Sequence, residues 1–278
     1  MARIRVITDS ACDLPESEAH RLGIDIVSLT IRFGNEEFVD RVNMSPATFW
    51  AKCKESTQLP ETAAPSPGAF QVAYQRAKDD GYDGVIVLAL SETLSATHQS
   101  ATLAADQMGD FPVRVIDTRA VSMAQGLMAI EIAELAGDGA DLDQLERRAL
   151  AIRDKVGVVA TIDTLEHLIK GGRVGGAKAF VGQVLSIKPM LELKDGVVAE
   201  AGRARTRGKA FAAIADRVTK HVPLRRLAMM HGASEDRDKL EALLTPIASE
   251  FSLIVADIGP VVGTHGGPGI IGVAWLEA

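Results

Sequence analysis

Several short stretches of this chain carry closely spaced oxygen-bearing side chains. In the first, Thr8, Asp9 and Ser10 follow an apolar run that begins at Ile4 and is typical of a β-strand. Pro15 suits the first turn of the helix expected next, because its missing N–H costs nothing there. In an open α/β sheet, small ligands bind beyond the carboxyl ends of the strands. The three side chains therefore either receive a ligand or cap the helix.

The second stretch is a proline-stiffened loop. Pro60 and Pro65 restrict its backbone, and the pair Ser66-Pro67 ends it at a predicted helix N-terminus. Such a loop can hold the hydroxyl of Thr62 rigidly. A simple connector with a capping serine would have the same sequence, so that interpretation stays open.

The third stretch, Ser91 to Ser100, follows the most apolar strand of the chain. Ser95, Thr97 and Ser100 cluster where the next helix is expected to begin. The unpaired N–H groups and positive dipole end of a helix favour an anion there, such as a carboxylate or a phosphate. Capping is the alternative, but five hydroxyls within ten residues exceed what a cap needs.

A histidine and several basic residues complete the candidate set. His265 lies among four glycines and a proline, between Gly263 and Gly269, which predicts a turn with little bulk around the ring. A lone histidine is more often structural, but this setting favours contact with a ligand or a partner. Positive charge, which a solvated surface would also explain, is concentrated at Lys170, Arg173, Arg203, Arg205, Arg207 and Lys209.

Composition narrows the functional classes. The chain has 278 residues, 47% of them hydrophobic and 24% charged, which is typical of a globular protein large enough for two domains. Its net charge of −7 argues against nucleic acid as the main partner. The six histidines form neither an HxH nor an HExxH pair, so we expect no metal and no cofactor.

The cysteines and the start of the chain indicate the compartment. Cys12 and Cys53 lack CxxC spacing, which favours a thiol-reducing cytoplasm. The residues after Met1 run straight into a predicted strand with no long apolar segment behind it. We therefore expect neither a secretory signal nor an integral membrane segment.

Short β-branched runs alternate with helical patterns through the first half, which predicts an α/β domain with a mostly parallel sheet. The predicted strands are Arg3–Thr8, Ile24–Arg32, Gly84–Leu90 and Val113–Asp117. The predicted helices begin at Ser45-Pro46, run from Ser66-Pro67 to Gly81, and span Leu94–Met108.

The pattern changes near residue 153. Asp195-Gly196 is the signature of a type I′ turn and predicts a β-hairpin between Pro189 and Glu200. The other predicted elements are strands Val156–Ile162, Arg226–Met230 and Ser252–Ile258, a short helix ending at Gly171-Gly172, and helices Thr206–Lys220 and Ser234–Ser249, with Pro246 interrupting the last. We predict an N-terminal α/β domain over 1–152, a C-terminal α+β domain over 153–278 and a ligand cleft between them.

Several motifs occur in a fixed order along the chain. They are Thr8-Asp9-Ser10 with Asp13-Leu14-Pro15, Thr62 with Pro65-Ser66, Leu94 to Ala101, Leu165 to Arg173, Ile187-Lys188-Pro189, Arg205-Thr206 with Lys209-Ala210, and His265 with Gly267-Pro268-Gly269. Their order and spacing resemble the DegV family of bacterial fatty-acid-binding proteins. The resemblance covers residues 3 to about 273 and depends on the ordered set, because no single motif is specific.

This resemblance implies a two-domain α/β carrier, not an enzyme, that buries a long-chain fatty acid. In the better-understood members of the family, the bound fatty acid is handed to a separate fatty acid kinase, which makes an acyl phosphate for phospholipid synthesis. The residues that match the carboxylate site or lie beside it are Thr62, Ser95, Thr8, Asp9, Ser10 and Thr97. Those expected near the head-group opening, where a kinase must reach, are His265, Arg173 and Arg205.

The chain departs from the family pattern at two places. The family often has Ser-Gly-Thr where this chain has Ser95-Ala96-Thr97, and Thr-Ser-Gln-Pro where it has Thr62-Ala63-Ala64-Pro65. Both changes keep the hydroxyls that matter and alter their neighbours.

Two other functions fit the same residues. One is a serine-dependent acyl hydrolase with Ser95 as nucleophile, His265 as base and Asp9 as the orienting acid, although no Gly-x-Ser-x-Gly elbow surrounds Ser95. The other is a phospho-ligand binder that uses the same helix N-termini.

Overall fold

The first 153 residues build two sheets with helices around them. The computed structural model describes residues 2–176, 187–248 and 251–278. In chain order, the first elements are β1 (Ile4–Asp9), a 3₁₀ turn (Ser10–Cys12), α1 (Glu16–Leu22), β2 (Asp25–Val27), β3 (Thr30–Phe33), β4 (Glu36–Val39), α2 (Pro46–Glu55), β5 (Glu61–Ala63), α3 (Pro67–Asp79), β6 (Gly84–Ala89), α4 (Thr97–Ala105), β7 (Val113–Asp117), α5 (Met123–Gly137) and α6 (Leu142–Arg153).

The remaining described residues build a third sheet. Its strands and the helices that flank it are β8 (Val156–Thr161), α7 (Glu166–Lys170), β9 (Lys188–Lys194), β10 (Val197–Ala204), α8 (Arg207–Thr219), β11 (Leu224–His231), α9 (Arg237–Leu244), β12 (Ile254–Asp257), α10 (Pro260–Gly266) and β13 (Ile271–Glu277).

The N-terminal sheet is parallel, in the order β2-β1-β6-β7. Every residue of β6 is buried, because helices cover both faces of this sheet and its central strands carry no solvent-facing side. A small antiparallel sheet, β4-β3-β5, lies beside it. The prediction of an α/β fold with a mostly parallel N-terminal sheet is confirmed.

The third sheet is mixed, with the order β10-β9-β8-β13-β11-β12. The predicted hairpin is confirmed as β9-β10, and both turn residues have positive φ, 51° at Asp195 and 80° at Gly196, as a type I′ turn requires. This sheet begins at Val156, near the predicted change of character. The domain boundary at 152/153 itself stays a prediction.

Helix α5 joins the two halves. Its residues from Met123 to Ala133 are all buried, because it packs against β1 of the parallel sheet and against β8, β11 and β13 of the mixed sheet. A helix that is buried on every side belongs inside a core. The parallel sheet, α5 and the mixed sheet therefore form successive layers.

Four sequence-based predictions of local structure need correction. The expected strand Ile24–Arg32 is two strands, because the chain leaves the parallel sheet after Val27 and enters the small antiparallel sheet at Thr30. An apolar, β-branched run predicts extended backbone but does not specify which strand it pairs with. The expected helix Leu94–Met108 spans only Thr97–Ala105, and the N–H of its first residue, Thr97, donates to the hydroxyl of Ser95.

The third correction concerns the expected helix Ser234–Ser249. It begins at Arg237 and ends at Leu244, ahead of Pro246, whose ring cannot continue a helix. Ser249, the predicted end, lies outside the described residues. His265, which was expected on a turn, lies on helix α10.

Candidate functional site

A cavity of about 990 Å³, counting its open mouth, lies between the two halves of the molecule. Its wall is mostly aliphatic and draws on both halves: Leu29, Leu90, Leu94 and Val121 come from the first, and Val158, Ala160, Leu191, Leu193, Val198 and Met230 from the second.

The mixed sheet supplies one continuous face of this wall. Val158 and Ala160 alternate along β8 and so point to the same side, and Ala160 pairs in register with Leu191 on β9. Met230 on β11 extends that face. An apolar surface of this kind suits the hydrocarbon part of a ligand.

The polar residues of the wall include Thr62 and His265, which come together from distant parts of the chain. Thr62 lies on β5, paired with Ile31 of β3, and its Oγ1 atom is 3.0 Å from Nε2 of His265 on α10. Both side chains line the cavity. Two of the residues selected from the sequence, 203 positions apart, therefore form one hydrogen-bonded pair.

His265 is held in its neutral form. Burial, assisted by the charges of Arg173 and His167, lowers the pKa of its ring to about 4. Nδ1 is buried without a hydrogen-bond partner among the described residues, and it packs so closely on Gly171 that a Cβ there would lie 2.4 Å away. We assign the ring proton to Nε2, since an N–H buried at Nδ1 would lose its hydrogen bond to water.

This tautomer directs the hydroxyl of Thr62. Nε2–H of His265 donates to Oγ1 of Thr62, so the hydroxyl proton of Thr62 is left to donate elsewhere. Since Thr62 lines the cavity, an acceptor atom inside it is the available partner.

Ser95 supplies a second hydroxyl to the same cavity. Its Oγ atom lies 2.9 Å from Oγ1 of Thr97 and accepts the Thr97 N–H at 3.3 Å. Thr97 is itself buried and supports Ser95 from behind without lining the cavity.

Arg173 brings positive charge to the cavity wall. Its guanidinium donates from Nε to the carbonyl oxygen of Leu94 at 3.0 Å and from Nη1 to that of Gly171 at 2.8 Å. These two bonds fix the cation next to the loop that carries Ser95. Arg205, in contrast, is exposed and does not line the cavity.

Thr8, Asp9 and Ser10 do not reach the cavity, which corrects their placement beside the ligand. All three are buried and satisfied within the parallel-sheet half: Thr8 donates to the carbonyl of Leu88 at 2.8 Å, and Ser10 accepts the N–H of Leu29 at 3.0 Å.

Asp9 has a structural role, because its side chain caps the 3₁₀ turn that follows β1. Its carboxylate accepts the N–H groups of Ala11 and Leu90 and the side-chain amide of Gln125, while burial raises its pKa to about 6. Because this carboxylate does not contact His265, the described residues do not assemble the Ser95–His265–Asp9 triad of a hydrolase.

Part of the hydroxyl-rich third stretch holds the molecule together. Ser91 and Thr93 both donate to the carbonyl of Gly196, at 2.8 and 2.6 Å, and so fasten the tip of the β9-β10 hairpin onto the loop after β6. The excess of hydroxyls in that stretch thus has two causes, one at the cavity and one at this contact.

Ser122 lines the cavity and was missed from the sequence. It follows β7 and precedes α5, with φ 56° and ψ −148°, and its hydroxyl donates to Asp13 at 2.5 Å. The rule that ligands bind beyond the carboxyl ends of parallel strands could have identified this loop.

Across the described residues, no group of histidine, cysteine, aspartate and glutamate side chains is arranged to hold a metal ion. Within the same part of the chain, no helix is long and apolar enough to cross a membrane.

The chain belongs to the DegV family: residues 3–278 match the family described as "Uncharacterised protein, DegV family". It is 34% identical to a DegV domain-containing protein of Deinococcus radiodurans, over 98% of this chain and 97% of that one. A Streptomyces coelicolor DegV domain-containing protein is 33% identical, over 97% of each chain.

Solved structures of similar proteins have the same fold. A DegV family protein from Thermus thermophilus, described by its fatty acid binding, is 34% identical with a TM-score of 0.90, over 99% of this chain and 100% of that one. DegV of Bacillus subtilis, described as a fatty acid binding protein, is 26% identical with a TM-score of 0.89 over the full length of both chains.

Proposed function

We propose that this protein is a carrier that binds a long-chain fatty acid in the cavity, with the carboxylate at Thr62 and Ser95. The observation that carries the proposal is an aliphatic cavity that also exposes two hydroxyls, one of them oriented by His265. The fatty-acid-binding descriptions of the similar Thermus and Bacillus proteins support it.

The tail provides the affinity. A long-chain fatty acid has about fifteen methylenes, each contributing roughly 0.8 kcal/mol when removed from water. This exceeds an association cost of several kcal/mol. The tail packs against the aliphatic side chains of the cavity wall, among them Leu29 and Met230.

The hydroxyls provide the orientation. A carboxylate buried without donors is costly, and the hydroxyl protons of Thr62 and Ser95 meet that need. Arg173 adds attraction from the cavity wall while keeping its own bonds to Leu94 and Gly171. The neutral ring of His265 orients the hydroxyl of Thr62. In this proposal the negative charge of the site is that of the ligand carboxylate.

We further propose that the bound fatty acid is presented to a fatty acid kinase, which forms an acyl phosphate for phospholipid synthesis. In this proposal the protein itself is not an enzyme, and the exchange occurs in the cytoplasm, where thiols such as Cys12 and Cys53 stay reduced. Exposed Arg205 and cavity-lining Arg173 are the residues that we assign to the kinase contact.

Mass spectrometry of an organic extract of the purified protein tests the carrier function. We expect long-chain fatty acid in stoichiometric amount. A polar phosphate in its place, or protein that takes up no fatty acid when palmitate is supplied, would overturn the proposal.

A further inference from the structure

Helix α10 is held at both ends by residues from the first half of the chain. At its C-terminal end, His265 bonds to Thr62 at 3.0 Å. Gly259 directly precedes the helix, and its N–H donates to the carboxylate of Asp13 at 2.8 Å. Each end of the helix that carries His265 is therefore tied to the first half of the chain by a hydrogen bond.

Asp13 is suited to hold such a contact. It is 2% exposed, ends the 3₁₀ turn after β1 with φ 51°, and uses each carboxylate oxygen for a different partner. Oδ1 accepts the N–H of Gly259, and Oδ2 accepts the hydroxyl of Ser122. One buried carboxylate thus connects the start of α10 to a residue of the cavity wall.

The backbone of Ser122 supports this interpretation. Its φ of 56° with ψ of −148° lies in a region that residues other than glycine rarely adopt. Such a conformation persists only where the surroundings enforce it, and here the N–H of Ser122 also donates to the carbonyl of Ala11 at 2.8 Å. Ser122 is therefore fixed from both its backbone and its side chain.

Nearby charges act on Asp13 in opposite directions. The pKa of its carboxyl is raised to about 7: burial is the largest cause and the charge of Asp40 adds to it, whereas the hydrogen bonds from Ser122 and Gly259 and the charge of Arg41 act in the opposite direction. The two hydrogen bonds therefore offset part of the cost of burying this group.

We propose that Asp13 is a positioning residue for the head-group site: it fixes the start of α10 and so sets where His265 meets Thr62. It does not line the cavity, so in this proposal it acts on the ligand only through α10. This inference rests on the proposed fatty-acid binding, since its effect is exerted on ligand retention.

Three variants test the inference with palmitate as the ligand. Asp13→Ala leaves Gly259 without its acceptor, and we expect palmitate to dissociate at least tenfold faster. Asp13→Asn should release palmitate at the wild-type rate, because the amide oxygen can accept from Gly259 while the amide N–H₂ donates to Ser122. Asp141→Ala is the matched control, since Asp141 also accepts a backbone N–H at the start of a helix, that of Gln144 in α6, but does not line the cavity; it should also match the wild type.

A spectroscopic readout separates positioning from a general loss of stability. In Asp13→Ala, the imidazole ¹⁵N resonances of His265 should shift, since Nε2–H loses its bond to Thr62, while the Asp141→Ala spectrum should keep the wild-type values. Unchanged His265 resonances together with wild-type palmitate release in Asp13→Ala would overturn the inference.

Hydrogen exchange in the wild-type protein decides the matter if Asp13→Ala does not fold. Palmitate stabilises the arrangement that it binds, so it should slow exchange at the Gly259 amide, which exchanges when its hydrogen bond to Asp13 opens. A Gly259 amide that exchanges equally fast with and without palmitate contradicts the role of Asp13. A wild-type protein that does not bind palmitate at all contradicts the proposed function instead.

Discussion

At the scale of single residues, the hydroxyls of Thr62 and Ser95 are the test of where the head group binds. Each hydrogen bond to a charged acceptor contributes roughly 1.5–3 kcal/mol. We expect Thr62→Ala combined with Ser95→Ala to weaken palmitate retention by at least a hundredfold while the far-UV circular dichroism spectrum stays unchanged.

Thr102→Ala is the control for that double variant. Thr102 is an exposed hydroxyl on α4 that bonds only to the carbonyl of His98 among the described residues, so its loss should leave retention unchanged. Full retention in the double variant would mean that the carboxylate binds elsewhere.

His265 should give the protein a distinct pH dependence. Its folded pKa, about 4, is below the ordinary value of 6.5 because the ring is buried. The unfolded chain therefore binds the proton first, and the stability that the neutral ring provides is present above pH 6.5 and is lost as the pH falls toward 4. At 1.36 kcal/mol per pKa unit, this loss is on the order of 3 kcal/mol.

Urea unfolding of the wild type and of His265→Gln, measured between pH 7 and pH 4, isolates this contribution from the opposing titration of buried carboxyls. The difference in unfolding free energy between the two should shrink as the pH falls. The exposed ring of His20, replaced in His20→Gln, serves as the control. A difference that is constant over this range would show that His265 titrates normally.

At the scale of elements, the close approach of α7 to α10 keeps the ring of His265 in place. Gly171, at the end of α7, has an ordinary helical φ of −74°, so alanine would suffer no backbone strain there. Its Cβ would nevertheless meet Nδ1 of His265 at 2.4 Å. We expect Gly171→Ala to displace the ring and to weaken palmitate retention about tenfold.

Gly208→Ala is the matched substitution for that test. Gly208 lies in α8 with nothing within 4 Å of an added Cβ, so alanine should leave retention unchanged and should stabilise the helix slightly. Equal retention in both variants, measured by fluorescence competition with a labelled fatty acid, would show that the α7–α10 contact does not matter for the ligand.

Local signals in the sequence predicted most elements but not their partners. Ser45 and Ser66, each followed by proline, cap α2 and α3 as expected, and Asp195-Gly196 forms the predicted turn. Pairing is decided by tertiary contacts, which is why the run around Val27 was mistaken for one strand.

The candidate site shows the same limit. One cavity is lined by Thr62, Ser95, His265 and Arg173. The polar atoms of Thr8, Asp9 and Ser10 are of the same kinds, but they are already paired in hydrogen bonds inside the parallel-sheet half. Sequence identifies side chains capable of chemistry but does not reveal whether their atoms are already paired. The sequence also does not distinguish the aliphatic residues of the cavity wall from ordinary core residues, because both are the same residue types.

At the scale of the whole molecule, the cavity exists only where the parallel-sheet half and the mixed-sheet half meet. The two arginines assigned to a kinase differ in place, since Arg173 lines this cavity and Arg205 lies exposed outside it. We expect Arg205→Ala to reduce kinase-dependent phosphorylation of the bound fatty acid at least tenfold and to leave retention unchanged.

The comparison with Arg173→Ala makes that experiment specific. We expect this variant to reduce phosphorylation more than retention, although its cation faces the cavity. Phosphorylation is followed with radiolabelled ATP and a purified fatty acid kinase, and retention is followed in parallel on the same samples. An Arg205→Ala variant that loses phosphorylation and retention equally would contradict the separation of roles.

The most direct test of the central claim is the electron density of a crystal of the protein loaded with palmitate. The account predicts a continuous tube along the aliphatic wall that ends within hydrogen-bond distance of Thr62 Oγ1 and Ser95 Oγ. A carboxylate found away from both hydroxyls, or a cavity filled by protein with no room for the chain, would contradict it.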